Sequence, residues 1–178
     1  MNDSQIDSKL TPLDSLDSAP DQVQLERFVT YRISTLANML GRQMERFLNQ
    51  QFGISLPDWR VLATLGRFKE MSVRELAAES KMDKALVSRV ASRLAKQQLI
   101  DSQPHPEDGR LVVLTLTPAG RDMYHAIIPH AMKRHQKLLG SLAPEEIPAL
   151  DQILNKLLGY AENLEQRSRS GNNESLIY

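Results

Sequence analysis

The stretch from Ser72 to Gly120 limits the fold most: two short helical patterns follow one another closely, then give way to two runs of strand character. SVRELAAES opens with Ser72 and Glu75 three residues apart, the separation at which a hydroxyl and a carboxylate cap a helix start reciprocally. DKALVSRVASRLAKQQ follows after a short turn, with Asp83 placed as its N-cap. LIDSQ (99–103) and RLVVLTLT (110–117) then read as strands, the second turning Val112, Leu114 and Leu116 inward. PHPEDG between them consists of turn residues, with Arg110 beside it at the hairpin tip.

The flanks read as helix. Leu25, Val29, Ile33, Leu36, Leu40, Met44 and Phe47 recur at steps of three and four, predicting a first helix over 21–51. Gly53 suits its C-terminal cap, and Ser55 begins the short apolar helix LPDWRVLATLGRF with Pro57 in its first turn. After the hairpin, Thr117-Pro118 starts a helix of roughly 23 residues that Pro129 is expected to kink. A final helix runs from Pro144 or Pro148 to Arg167. Residues 1–20, with four Asp, four Ser and two Pro, and the last residues from 168 read as tails. Three short helices followed by two strands is the order of a winged helix-turn-helix. The expected class is therefore mainly α with a small β-wing, a winged helix-turn-helix core carrying N- and C-terminal helices.

Turning the second helix of that motif by 100° per residue separates two faces. Val87, Val90, Ala91 and Leu94 point inward. Lys84, Ala85, Ser88, Arg89, Ser92 and Lys96 point outward, with Arg93 at the margin. Between Lys81 and Gln98 five basic residues face one acid, a local charge of +4 in a chain whose 22 basic and 22 acidic residues cancel. Small residues let a helix sink into a major groove, Arg89 reaches base edges, and Lys96 with Arg93 neutralises phosphates. A merely solvated face is the bland alternative. Arg110 suits insertion into a narrow minor groove, oriented by Asp108, although pairing with Asp108 alone would stiffen the turn.

Other classes find less support. Zero cysteines exclude disulfides, thiolate zinc sites and thiol chemistry. Four histidines contain no i,i+4 pair, and neither a phosphate loop nor a nucleophile elbow appears, so no enzyme, cofactor or metal site is expected. A regulator sensing metal through histidines and carboxylates, or a winged helix used only for protein contacts, stays open as an alternative. No run approaches the roughly 20 apolar residues of a membrane span, and no signal pattern opens the chain, so a soluble cytoplasmic protein is expected.

SVRELAAESKMDKALVSRVASRLAKQQLIDSQPHPEDGRLVVLTLTPAG resembles the winged-helix core of the MarR family of bacterial transcription regulators. The landmarks are Ser88-Arg89, Asp108-x-Arg110, Leu116-Thr117-x-x-Gly120 and the upstream LPDWRVLATLG, and the likeness extends over about residues 25–165. Ser102, Gln103 and Gly109 depart from the family's more basic wing, which leaves Arg110 more alone. The resemblance implies a homodimer on a pseudo-palindromic double-stranded DNA operator, repression being relieved by a small, often aromatic or phenolic effector. Residues 52–117 would form the DNA-binding domain, and 21–51 with 118–167 the dimerisation domain. Ile147, Leu150, Leu154, Leu157, Ala161 and Leu164 step by 3, 4, 3, 4, 3, a heptad seam for another helix within the chain or from a second copy. The family's architecture also allows Met39, Arg46, Leu56, Trp59 and His130 to line an effector cleft, with Arg46 as its cation. Met39 and Trp59 as core, and Arg46 as a solvent-facing residue, are the competing assignments.

Overall fold

The computed structural model describes residues 24–104 and 112–169. His105, Asp108 and Arg110 of the expected hairpin tip, and the expected tail 1–20, lie outside the described residues. The elements are a 3-10 turn Leu25–Arg27, α1 Val29–Phe52, α2 Leu56–Phe68, β1 Glu70–Ser72 and α3 Val73–Ser80. They continue with α4 Lys84–Lys96, β2 Ile100–Pro104, β3 Val112–Leu116, α5 Pro118–Leu139 and α6 Glu146–Arg169. The chain divides into two compact units, one ending at Tyr124 and the other beginning at His125.

In the first unit, helix ends follow from local chemistry. Gly53 closes α1 in the left-handed region at φ 66°, its N–H donating to the Asn49 carbonyl. Ser55 and Asp58 cap α2 reciprocally, as Ser72 and Glu75 cap α3, and Asp83 Oδ1 accepts the Leu86 N–H at the start of α4. Each such cap contributes about 1 kcal/mol. α2 packs against α3 and α4, and α1 packs against α2. Leu48, Val61, Leu62, Leu65, Leu76, Val87, Val90 and Leu94 are fully buried between these helices and their neighbours. Trp59 is buried as well and stacks on Tyr124, ring centroids 6.0 Å apart. Its place in the core answers one of the alternatives the sequence left open.

The strands differ from expectation in number. The sheet has three antiparallel strands in the order β1-β3-β2, not a lone hairpin. Glu70, Met71 and Ser72 pair with Thr115, Leu114 and Val113, so the segment entering α3 closes the far side of β3. Leu114 and Leu116 are buried, but Val112, paired with Pro104 at the outer end of the β2–β3 ladder, is 43% exposed. The expectation that all three turn inward holds for the last two only.

Two helix starts also need correction. The first helix does not run unbroken over 21–51: Phe28 is extended at ψ 133°, separating the 3-10 turn from α1. The apolar period passes through this break, and no capping side chain marks it in the sequence. α6 begins at Glu146, between the two candidate prolines, where Glu146 Oε2 accepts the Ala143 N–H at 2.7 Å. Pro148 falls in its first turn, where a missing N–H costs nothing.

The second unit holds the rest of α5, with Pro129 inside it, and α6. On α6, Ile147, Leu150 and Leu164 are half-buried, whereas Leu154 and Leu157 are exposed. Ile153, Leu158 and Tyr160 are exposed too, broadening the expected narrow seam to an apolar arc of about 160°. Among the described residues, no helix is long and apolar enough to cross a membrane.

Candidate nucleic-acid interface

The candidate surface is one side of α4. Capping by Asp83 fixes where the helix starts, and burial of Val87, Val90, Ala91 and Leu94 fixes its rotation. With that rotation set, Lys84, Ala85, Ser88, Arg89, Ser92, Arg93 and Lys96 are all exposed. The turn before it is tight: Lys81 adopts φ 52°, and its N–H bonds to the end of α3. Ser92 Oγ donates to the Ser88 carbonyl at 2.9 Å, which folds it against the helix and keeps the surface low between the longer side chains. Among the described residues no ion pair engages Lys84, Arg89 or Lys96. Their charges therefore meet an incoming polyanion without first breaking a protein contact.

Arg93 differs from the others on this face. Its Nη2 and Nε donate to Asp58 Oδ1 at 2.5 and 3.1 Å, and Nη2 also approaches Ser55 Oγ at 3.3 Å. Asp58 is 3% exposed, the one buried charged residue among those described. Ser55 supplies its remaining oxygen with an N–H at 2.8 Å and an O–H at 2.6 Å. Four donors thus fill the acceptor sites of one carboxylate. The Ser-x-x-Asp spacing at 55–58 was open to recognition as a capping box, but nothing local in the sequence pairs Asp58 with an arginine 35 residues on.

Of the expected effector residues, those in the first unit do not share one face. Leu56 is half-buried where α1 meets α2, 3.7 Å from where a Cβ on Gly41 would stand. Met39 and Arg46 are exposed on the side of α1 turned away from Gly41, Met44, Glu45 and Leu48, which face α2. Trp59 is occupied by its stack on Tyr124. His130 is exposed on α5 in the second unit. Among the described residues no group of three or more His, Asp or Glu side chains is placed to hold a metal ion.

Comparison with known proteins agrees with this fold. A MarR family model matches residues 52–111. The HTH-type transcriptional repressor IacR of Pseudomonas putida is 24% identical over 148 residues, 83% of this chain and 88% of that protein. The HTH-type transcriptional regulator BilQ of Clostridium symbiosum is 32% identical over 108 residues, 61% of this chain and 75% of its own. The crystal structure of a MarR/EmrR family transcriptional regulator from Acinetobacter superposes with a TM-score of 0.74 at 29% identity, covering 79% of this chain and 99% of that one. BpsR of Bordetella bronchiseptica, whose regulation of DNA binding by 6-hydroxynicotinic acid has been studied structurally, has the same fold at 24% identity, with a TM-score of 0.69 over 76% of this chain and 96% of that one. With its three-stranded winged helix, its exposed basic α4 and these relatives, the chain belongs to the MarR family of DNA-binding transcription regulators.

Proposed function

We propose that this chain is a cytoplasmic repressor that binds a pseudo-palindromic operator as a homodimer and is released by a small aromatic acid. One observation carries the DNA reading: α4 exposes a face of small and basic side chains whose cations, Arg93 apart, have no ion-pair partner among the described residues. Residues 52–117 would read the DNA, and 21–51 with 118–167 would pair the subunits. Exposed Val29, Ile33 and Leu36 on α1 and exposed Leu154 and Leu157 on α6 support pairing, since a single chain leaves them in water. Twofold symmetry would then present two recognition helices about 34 Å apart, one turn of DNA. Arg110, steadied by Asp108, would enter the minor groove. Repression follows the likeness to IacR, and an aromatic acid effector follows BpsR. Arg46 and Met39, exposed on one side of α1, would supply the cation and an apolar wall for that acid.

Arg89→Ala tests the reading. Affinity for a duplex selected by the wild-type protein from a random pool should fall by about 1–3 kcal/mol, with base preference relaxed at one position per half-site. An equal loss on unselected DNA would make Arg89 a phosphate contact. Unchanged affinity would remove α4 from the interface.

A further inference from the structure

We infer that Arg93 is a positioning residue: its clasp on buried Asp58 sets the pose of the recognition helix, and its charge is not spent on DNA phosphate. The inference rests on the DNA-binding reading of α4 and refines one residue of it. Arg93 is one of two last-turn cations of α4, 49% exposed at its side chain, so by sequence and exposure it belongs with Lys96 as a phosphate contact. Its hydrogen bonds say otherwise. Two guanidinium N–H groups converge on one carboxylate oxygen that is withdrawn from water, and an ion pair with a desolvated partner is not exchanged lightly. Releasing Arg93 to a phosphate would strand the Asp58 charge in the core.

The position of the clasp explains what it would do. Asp58 sits in the first turn of α2, locked by Ser55. The same end of α2 is tied to α1, because Glu45 Oε2 accepts the Leu56 N–H at 2.5 Å. Glu45 Oε1 in turn accepts from Asn49, and the Asn49 carbonyl accepts the Gly53 N–H that ends α1. Two sets of hydrogen bonds, joined through the Ser55–Leu56 peptide, therefore run from the end of α1, through the start of α2, to the far end of α4. Core packing fixes the rotation of α4 about its axis; apolar contacts alone allow it to tilt or slide. A forked, charge-assisted bond at its C-terminal turn removes that freedom. Because α1 lies at the other end of these bonds, a change in the α1–α2 junction would reach the recognition helix through Arg93.

The test uses full-length wild-type protein, Asp58→Asn, Arg93→Gln, Arg93→Lys and the Asp58→Asn/Arg93→Gln double variant. Each is titrated with the selected duplex over a series of salt concentrations, and melting temperatures confirm which variants are folded. A positioning role predicts that Asp58→Asn and Arg93→Gln each lose about tenfold in affinity, within the range of couplings through packed networks, and that the double loses no more. The slope of log affinity against log salt stays that of wild type. Arg93→Lys keeps the charge but not the fork, and falls with Arg93→Gln. A phosphate contact predicts the reverse: Arg93→Gln lowers the slope by about one, Arg93→Lys retains affinity, and Asp58→Asn binds as well as wild type or better. Either that pattern or undiminished binding by all variants overturns the clasp while leaving the DNA-binding reading intact. Should Asp58→Asn not fold, the two Arg93 variants still separate the roles. Failure of the wild-type protein to select or bind any duplex would instead strike the DNA-binding reading itself.

Discussion

Leu154→Asp combined with Leu157→Asp is expected to yield a folded monomer that no longer binds its operator tightly. Both leucines are largely exposed in one chain, 43% and 39%, so acidic replacements cost an isolated protomer little. In a twofold interface the same pair of substitutions would bury four carboxylates without partners, each costing several kcal/mol. Association should weaken by more than about 4 kcal/mol, a thousandfold. Sedimentation equilibrium checks the mass, and circular dichroism checks that helix content is retained. A monomer grips one half-site only, so affinity for a two-half-site duplex should fall steeply. A dimer that survives both substitutions would move the subunit interface off this part of α6.

Gly120→Ala is expected to be the most damaging small substitution in the first unit. A Cβ at this position would stand 1.9 Å from the Leu99 carbonyl oxygen and 2.9 Å from its carbon. Both are backbone atoms, so no side chain can swing aside. The approach is enforced from several directions: Thr117 N–H donates to Leu99 O, Thr117 Oγ1 donates to Gln98 O and accepts from Gly120 N–H. The first turn of α5 is in this way fastened to the residues that lead into β2. Separating them to admit a methyl should cost about 3 kcal/mol. Thermal unfolding should drop by about 10 °C for a chain of this size. Gly66→Ala serves as the comparison, because the atoms 2.7 Å from its Cβ belong to the Tyr124 ring, so a side chain stacked on Trp59, and not backbone, must shift. A Gly120→Ala variant as stable as wild type would mean that α5 does not dock on that carbonyl.

What the sequence disclosed followed from the range over which each signal acts. The caps at Ser72, Asp83 and Gly53 act across three or four residues and were readable. So was the rotation of α4, because Val87, Val90, Ala91 and Leu94 keep helical spacing. β1 was not readable: three residues, EMS, are too few to establish a period, and only pairing with β3 some 40 residues later makes them a strand. The partner of Arg93 was hidden for the same reason. Its position on the helix was clear, but its bond to Asp58 depends on how α2 and α4 cross. Arg46 shows the opposite limit, since the residues facing α2 set which way it points, and those contacts are tertiary. The wing tip, with Arg110, lies outside the described residues and keeps its place in the proposal on sequence grounds.

Binding of the wild-type protein to duplex DNA across a range of salt concentrations probes the central claim most directly. Two basic helix faces, each with Lys84, Arg89 and Lys96, neutralising up to about six phosphates would lower affinity by roughly 10³ between 50 and 200 mM salt. The complex at saturation should contain two chains per duplex. Affinity that is absent at low salt, or flat as salt is added, would contradict the assignment of α4 as the surface that reads DNA.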